Sequence, residues 1–153
     1  MQITRFAEAR RYDAPKHFDM RSLRLQGFDM SASQFAWVGL SQFLPQGGAE
    51  MDAGALEKIY VVLEGEVTVQ LADGTRHVLK ALDSCHIPGG EARAIRNEAN
   101  TVATMLVVGH NPGFCELADA LAGAGEAGGK IDTGRSLADP ALLVGDSEDA
   151  GRH

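Results

Sequence analysis

Apolar residues recur along this chain in short runs cut by turn residues, a spacing that suits strands better than helices. Residues 1–20 are polar and irregular, with Ala14-Pro15 as a breaker. Residues 21–26 alternate weakly. Residues 34–44, rich in aromatic and branched side chains, read as a long strand that Pro45-Gln46-Gly47-Gly48 ends. Residues 58–63 are β-branched and aromatic, and Glu64-Gly65 turns the chain back into residues 67–71. Asp73-Gly74 is a hairpin signal and leads into residues 77–80. His86-Ile87-Pro88, residues 92–96 and residues 101–108 complete a set of roughly eight strands. Short strands with evenly spaced turns predict an antiparallel sandwich or barrel. Helical periodicity is confined to residues 115–122, after the stop at Asn111-Pro112-Gly113. Beyond Gly123 the chain is rich in Gly and Ala, acidic and poor in apolar anchors, which predicts an extended tail.

Composition narrows the function. A chain of 153 residues accommodates one domain with a full core. The net charge of -7 argues against a general nucleic-acid partner, which needs a basic patch. No apolar run reaches the length of a membrane span, and the first ten residues lack the apolar core of a signal peptide. A cytoplasmic location is the resulting expectation. Cys85 and Cys115 stand in no metal or redox spacing, so no disulfide framework is expected. No Ser-His-Asp arrangement, phosphate loop or nucleotide fingerprint is present.

Val61-Val62-Leu63-Glu64-Gly65-Glu66, Pro88-Gly89-Gly90 and Asn97 carry a further reading. Over residues 35–110 the chain resembles the two halves of a cupin. The resemblance implies an all-β fold: a single antiparallel jelly-roll (cupin) barrel of the RmlC-like type, to which the pattern beyond it adds a short C-terminal helix and an extended tail. Together they divide the chain into an N-terminal segment and first strand packing on the barrel (residues 1–33), the barrel core (34–114), and a helix with its acidic tail (115–153). Counting back from Gly65, the carboxylate ligand position of the first cupin motif falls on Lys58. Its two histidine positions fall within Met51-Asp52-Ala53-Gly54. In the second motif Leu82 stands for the first glycine, and the histidine position is Arg93. Metals need lone pairs from imidazole or carboxylate, whereas Lys and Arg offer protons and positive charge. The resemblance therefore implies cations in place of the usual metal, with no metal and no cofactor expected.

Strand register bears on this assignment. By hydrophobicity alone Glu57, Ile59, Val61 and Leu63 form the inner face. The family register instead turns Lys58, Tyr60 and Val62 into the cavity, and we follow it because the turn at Gly65 anchors it. A slip of one residue would bring Glu57 inside instead.

Lys58 and Arg93 then form a cationic pocket for a small anionic ligand, a carboxylate or sugar acid, with Arg93 as its bidentate anchor. Tyr60, Asp52 and Asn97 are the other substrate-binding candidates. Lys58, whose charge is disfavoured beside a second cation, and His86 are the catalytic candidates. The alternative for each cation is a structural ion pair with Glu50, Asp52 or Glu57. For Tyr60, His86 and Asn97 the alternative is packing or support of a turn. An atypical metal site could draw on His86, His17 or His110 with Asp52 or Glu50. Three functional classes stay open: a metal-independent isomerase, cyclase or lyase; a non-catalytic ligand-sensing or structural cupin; and a metal-dependent oxygenase or decarboxylase with non-standard ligands. The expected partners are the small anion and a second copy in a homodimer, with neither nucleic acid nor membrane.

Overall fold

The computed structural model describes residues 1–111. A short 3-10 turn (Phe6–Glu8) precedes β1 (Arg10–Tyr12), β2 (His17–Gln26), β3 (Ala36–Ala53), β4 (Lys58–Glu64) and β5 (Glu66–Leu71). Then come β6 (Arg76–Lys80), β7 (Ser84–Ile87), β8 (Ala92–Arg96) and β9 (Ala103–His110). Neighbouring strands pair antiparallel in the order β6-β5-β8-β3-β9-β4-β7, and β2 adds to β3 with β1 beyond it. The result is the expected all-β jelly roll, a nearly closed barrel. The helix and tail expected over residues 115–153 lie outside the described residues. Among the described residues no helix is long and apolar enough to cross a membrane.

Two expectations about the strands need correction. Pro45-Gln46-Gly47-Gly48 does not end the long strand; β3 runs through it. The strand changes partner there. Its first half pairs with β9 as far as Phe43↔Ala103, and its second half takes up β8 from Gly48↔Arg96. Proline has no N–H to give a ladder, and Pro45 occupies the gap between the two ladders. At Gly47 and Gly48 an added Cβ would lie 2.0 Å from the Asp19 carbonyl oxygen and 2.1 Å from that of Ile95. The corner closes only with bare backbone. The second correction is that residues 17–20, expected to be irregular, open β2. Asp19, with φ of 47°, marks an irregularity in the pairing rather than the end of it.

Alternation decides what each strand buries. Phe43, Tyr60, Val62, Val67, Val69, Ile87, Ile95, Ala103 and Met105 form one core inside the barrel. Along β4 the inward residues are Lys58, Tyr60 and Val62, while Ile59 and Leu63 stay 47% and 42% exposed. Glu57 lies outside this strand. Gly65 joins β4 to β5 with φ of 73°, and a Cβ there would meet the Val102 carbonyl oxygen at 2.9 Å.

Candidate functional site

Cross-strand register brings the cavity residues together. Arg93 on β8 stands opposite Asp52 on β3, and Tyr60 on β4 stands opposite Val107 on β9. The Arg93 side chain crosses from β8 to β4. Its Nε and Nη2 donate to the Tyr60 hydroxyl at 3.1 and 2.9 Å, and its Nη1 donates to the Asp52 carbonyl at 2.7 Å. These bonds fix the guanidinium plane and leave an N–H on each terminal nitrogen for a ligand. Burial pushes the Tyr60 hydroxyl above the ordinary tyrosine value, and Arg93 partly offsets this. Tyr60 therefore stays protonated, accepting from Arg93 and keeping its own O–H to donate.

Lys58 is half-buried and makes no hydrogen bond or ion pair among the described residues. A Cβ added at Gly54 would lie 3.1 Å from Lys58 Nζ and 3.9 Å from Arg93 Nη1, so the two cations flank the same bare stretch of backbone. Burial lowers the Lys58 pKa from the ordinary lysine value; Arg93 lowers it further, and Asp52 partly restores it. The Asp52 carboxylate is half-exposed and lies 2.6 Å from Lys16 Nζ on the connection between β1 and β2. That hydrogen bond and charge hold its pKa below the usual carboxylate value, so Asp52 is ionised. The Lys16 carbonyl in turn accepts the Glu50 N–H at 2.9 Å.

The cavity has a volume of about 350 Å³, within the range of small-molecule sites. Aromatic side chains of Tyr12, Trp37 and Tyr60 form much of its wall. Its charged lining is Lys16, Arg24, Lys58 and Arg93 against Glu50 and Asp52. The protein as a whole carries a net charge of -7, so this excess of cations is local and concentrated where a ligand would sit.

Lys58, Arg93, Tyr60 and Asp52 thus share one cavity. Two other expected site residues do not. Asn97 is 0% exposed and lies in the core. Its Nδ2 donates to the carbonyls of Phe43, Leu44 and Thr101, and its Oδ1 accepts the Ala99 N–H. Those bonds close the turn after β8 and pin it to β3, leaving no group for a ligand. His86 lies on β7 with its Nε2 3.1 Å from the Glu57 carboxylate, lining a separate hollow with Cys85 and Val69. Both are corrected by the same fact: neither side chain reaches the cavity that holds Lys58 and Arg93. His17 does line that cavity, with its Nδ1–H donating to the Pro15 carbonyl at 2.6 Å.

The family's usual metal does not fit these residues. The motif positions hold an ammonium and a guanidinium, neither of which has a lone pair to give. Among the described residues no three His, Cys, Asp or Glu side chains come together as a ligand set. Tyr12, Lys16, Arg24, Trp37 and Gly54 also shape the site and were not singled out from the sequence. The available signal was the inner face of β3, where Gly39 and Ser41 follow Trp37: small residues facing inward leave space.

Residues 39–109 match the family model for the cupin domain. Over 112 residues the chain is 42% identical to a beta-D-galactosidase of Mycobacterium tuberculosis, covering 73% of this chain and 96% of that one. The chain belongs to the cupin family. Among solved structures, the polyketide cyclase RemF from Streptomyces resistomycificus superposes with a TM-score of 0.65 at 18% identity, covering 72% of this chain and 79% of that one. An RmlC-like cupin from Shewanella frigidimarina gives a TM-score of 0.59 at 17% identity, over 76% and 96% of the two chains. At those identities the likeness is one of fold.

Proposed function

We propose that this cupin binds a small sugar acid in its barrel, with the carboxylate on Lys58 and Arg93 and the carbon skeleton against Tyr12 and Trp37. The observation that carries the reading is the unpartnered Lys58 ammonium, held half-buried beside a guanidinium whose own position is fixed by Tyr60 and Asp52. Two like charges drawn out of water together destabilise the empty site, and a bound anion offsets that cost. Aromatic walls suit the C–H faces of a sugar, and the 42% identity to a beta-D-galactosidase supports the carbohydrate class.

The same residues supply a proton-transfer chemistry. The depressed pKa of Lys58 gives it access to the neutral amine. Where Arg93 alone holds the carboxylate, the neutral amine takes the proton from the adjacent carbon and becomes the ammonium, the C–H electrons pass into the enolate, and Arg93 with the new ammonium holds the enolate oxygens. Isomerisations, cyclisations and eliminations that pass through an enolate begin this way.

The named relative favours a second reading, cleavage of a β-galactoside. Glycoside cleavage commonly uses two carboxyl groups, one ionised and one able to give a proton. Asp52, ionised by Lys16, and Glu50 line the same cavity. Calorimetric titration with galactonate and galactose, alongside a nitrophenyl β-D-galactoside assay, separates the two. The first reading expects galactonate to bind and galactose not to, with affinity falling about tenfold or more in Arg93→Ala and in Lys58→Met. Galactoside hydrolysis lost in Asp52→Asn, with no galactonate binding, supports the second. Neither binding nor hydrolysis overturns both.

A further inference from the structure

Another cation lines the same cavity away from the Lys58–Arg93 pair. Arg24 on β2 has its guanidinium carbon 4.3 Å from the Tyr12 ring centroid, 4.1 Å from that of Phe28 and 5.8 Å from that of Trp37. These are cation–π contacts, which supply no hydrogen-bond acceptor to its N–H groups. No hydrogen bond or ion pair reaches the Arg24 side chain among the described residues. Asp29 is the nearby carboxylate, but Arg10 takes it at 2.6 Å. An arginine that is half-buried, held by aromatic rings and left without an acceptor has its hydrogen-bonding edge in reserve.

The surrounding backbone is shaped for this arrangement. Trp37 on β3 pairs with Gly109 on β9, and a Cβ at Gly109 would lie 2.8 Å from the indole ring. Gly39 pairs with Arg24, and a Cβ there would lie 3.2 Å from the Tyr12 hydroxyl. Two glycines on facing strands thus make the slot in which Tyr12 and Trp37 support Arg24. Register also relates the two cationic groups. Arg24, Gly39, Val107 and Tyr60 form one cross-strand row, and Tyr60 carries Arg93. Three strand spacings separate the ends of that row, about 14 Å at the backbone. Long side chains reaching inward from both ends reduce this to the span of a small molecule.

We infer that Arg24, set by Tyr12, Phe28 and Trp37, is a second anion-binding subsite, and that the cavity takes an elongated ligand acidic at both ends, such as a sugar diacid. The inference rests on the sugar-acid reading of the Lys58–Arg93 end. Galactarate, with a carboxylate on each terminal carbon, and galactonate, with a carboxylate on one, are the probes. Calorimetry on the full chain is expected to show galactarate binding about tenfold more tightly than galactonate. Arg24→Gln lowers galactarate affinity to that of galactonate and so abolishes the preference, with its urea unfolding curve as the folding control. Arg24→Lys, which keeps the charge and stem, retains part of the preference and covers the case in which Arg24→Gln does not fold. Galactonate binding with no preference for galactarate, or a preference that survives in both Arg24 variants, overturns the second subsite alone. Absence of binding by either acid overturns the Lys58–Arg93 reading and this inference with it.

Discussion

The packed interior of the barrel and the cavity above it are built from the same strands, a step or two of the alternation apart. On β4 Val62 lies in the core and Lys58 in the cavity; on β8 the pair is Ile95 and Arg93; on β9 it is Met105 and Val107. Below, Phe43, Val62, Val67 and Met105 fill the space with apolar groups and are almost wholly buried. Above, charged side chains and aromatic rings leave about 350 Å³ unfilled. Closely packed interiors stabilise; a cavity with two adjacent cations does not. The lower region accounts for the fold, and the proposed binding would explain why the upper region gives up stability.

Substitutions at the two levels should therefore separate. The largest effect is expected at Phe43→Ala, which removes a buried ring: about 3–5 kcal/mol lost in urea unfolding. A loss below about 1 kcal/mol would show that the lower region is loosely packed. Asn97→Ala strips partners from three carbonyls and should cost about 1–3 kcal/mol. Sugar-acid affinity per folded molecule should stay unchanged in that variant, which distinguishes a supporting residue from a ligand-binding one.

In the upper region the sign reverses. Lys58→Met removes a cation that Asp52 compensates only in part, so unfolding free energy should rise by about 1 kcal/mol while sugar-acid affinity falls. Equal destabilisation by Lys58→Met and Phe43→Ala would erase the contrast. The pH dependence follows from the lowered Lys58 pKa. The native protein releases this proton before the unfolded chain does. Lys58 thus costs stability while it is charged, and stability rises with pH across the interval between the folded and unfolded values. Anion affinity runs the other way, falling as pH rises through the lowered pKa, and Lys58→Arg should flatten that fall. The smallest effect is expected at His86→Ala, an exposed partner of Glu57: within about 0.5 kcal/mol in stability, with no change in binding.

Much of the fold was legible in the sequence, because strand alternation and turn residues are local signals. The Asp73-Gly74 hairpin and the Gly65 turn both stand where the pattern put them. The corner at Pro45-Gln46-Gly47-Gly48 was misread, since a strand that changes partners and a strand that stops use the same residues. Hydrophobicity would also have turned β4 inside out: Ile59 and Leu63 face outward while Lys58 faces in. In a barrel with a cavity the inward face is not the more apolar one, and the turn at Gly65 settled what composition could not. The juxtaposition of Lys58, Arg93, Tyr60 and Asp52 was accessible through motif counting. Arg24 and Tyr12 were not, because their place in the cavity depends on β1 and β2 joining β3, a pairing with no local sequence signal. His86 and Asn97 failed as cavity residues for a similar reason: a motif position fixes a strand, whereas the facing elements decide what its side chain meets.

The central claim is that a lysine without a direct ion-pair partner waits in the barrel for an anion, and nuclear magnetic resonance of the Lys58 side chain tests it most directly. Titration of the Nζ signal, assigned by its loss in Lys58→Met, should give a pKa below the ordinary value of 10.5 in the free protein and a rise on adding galactonate. A Lys58 that titrates at the ordinary lysine value and does not respond to the acid would contradict the account.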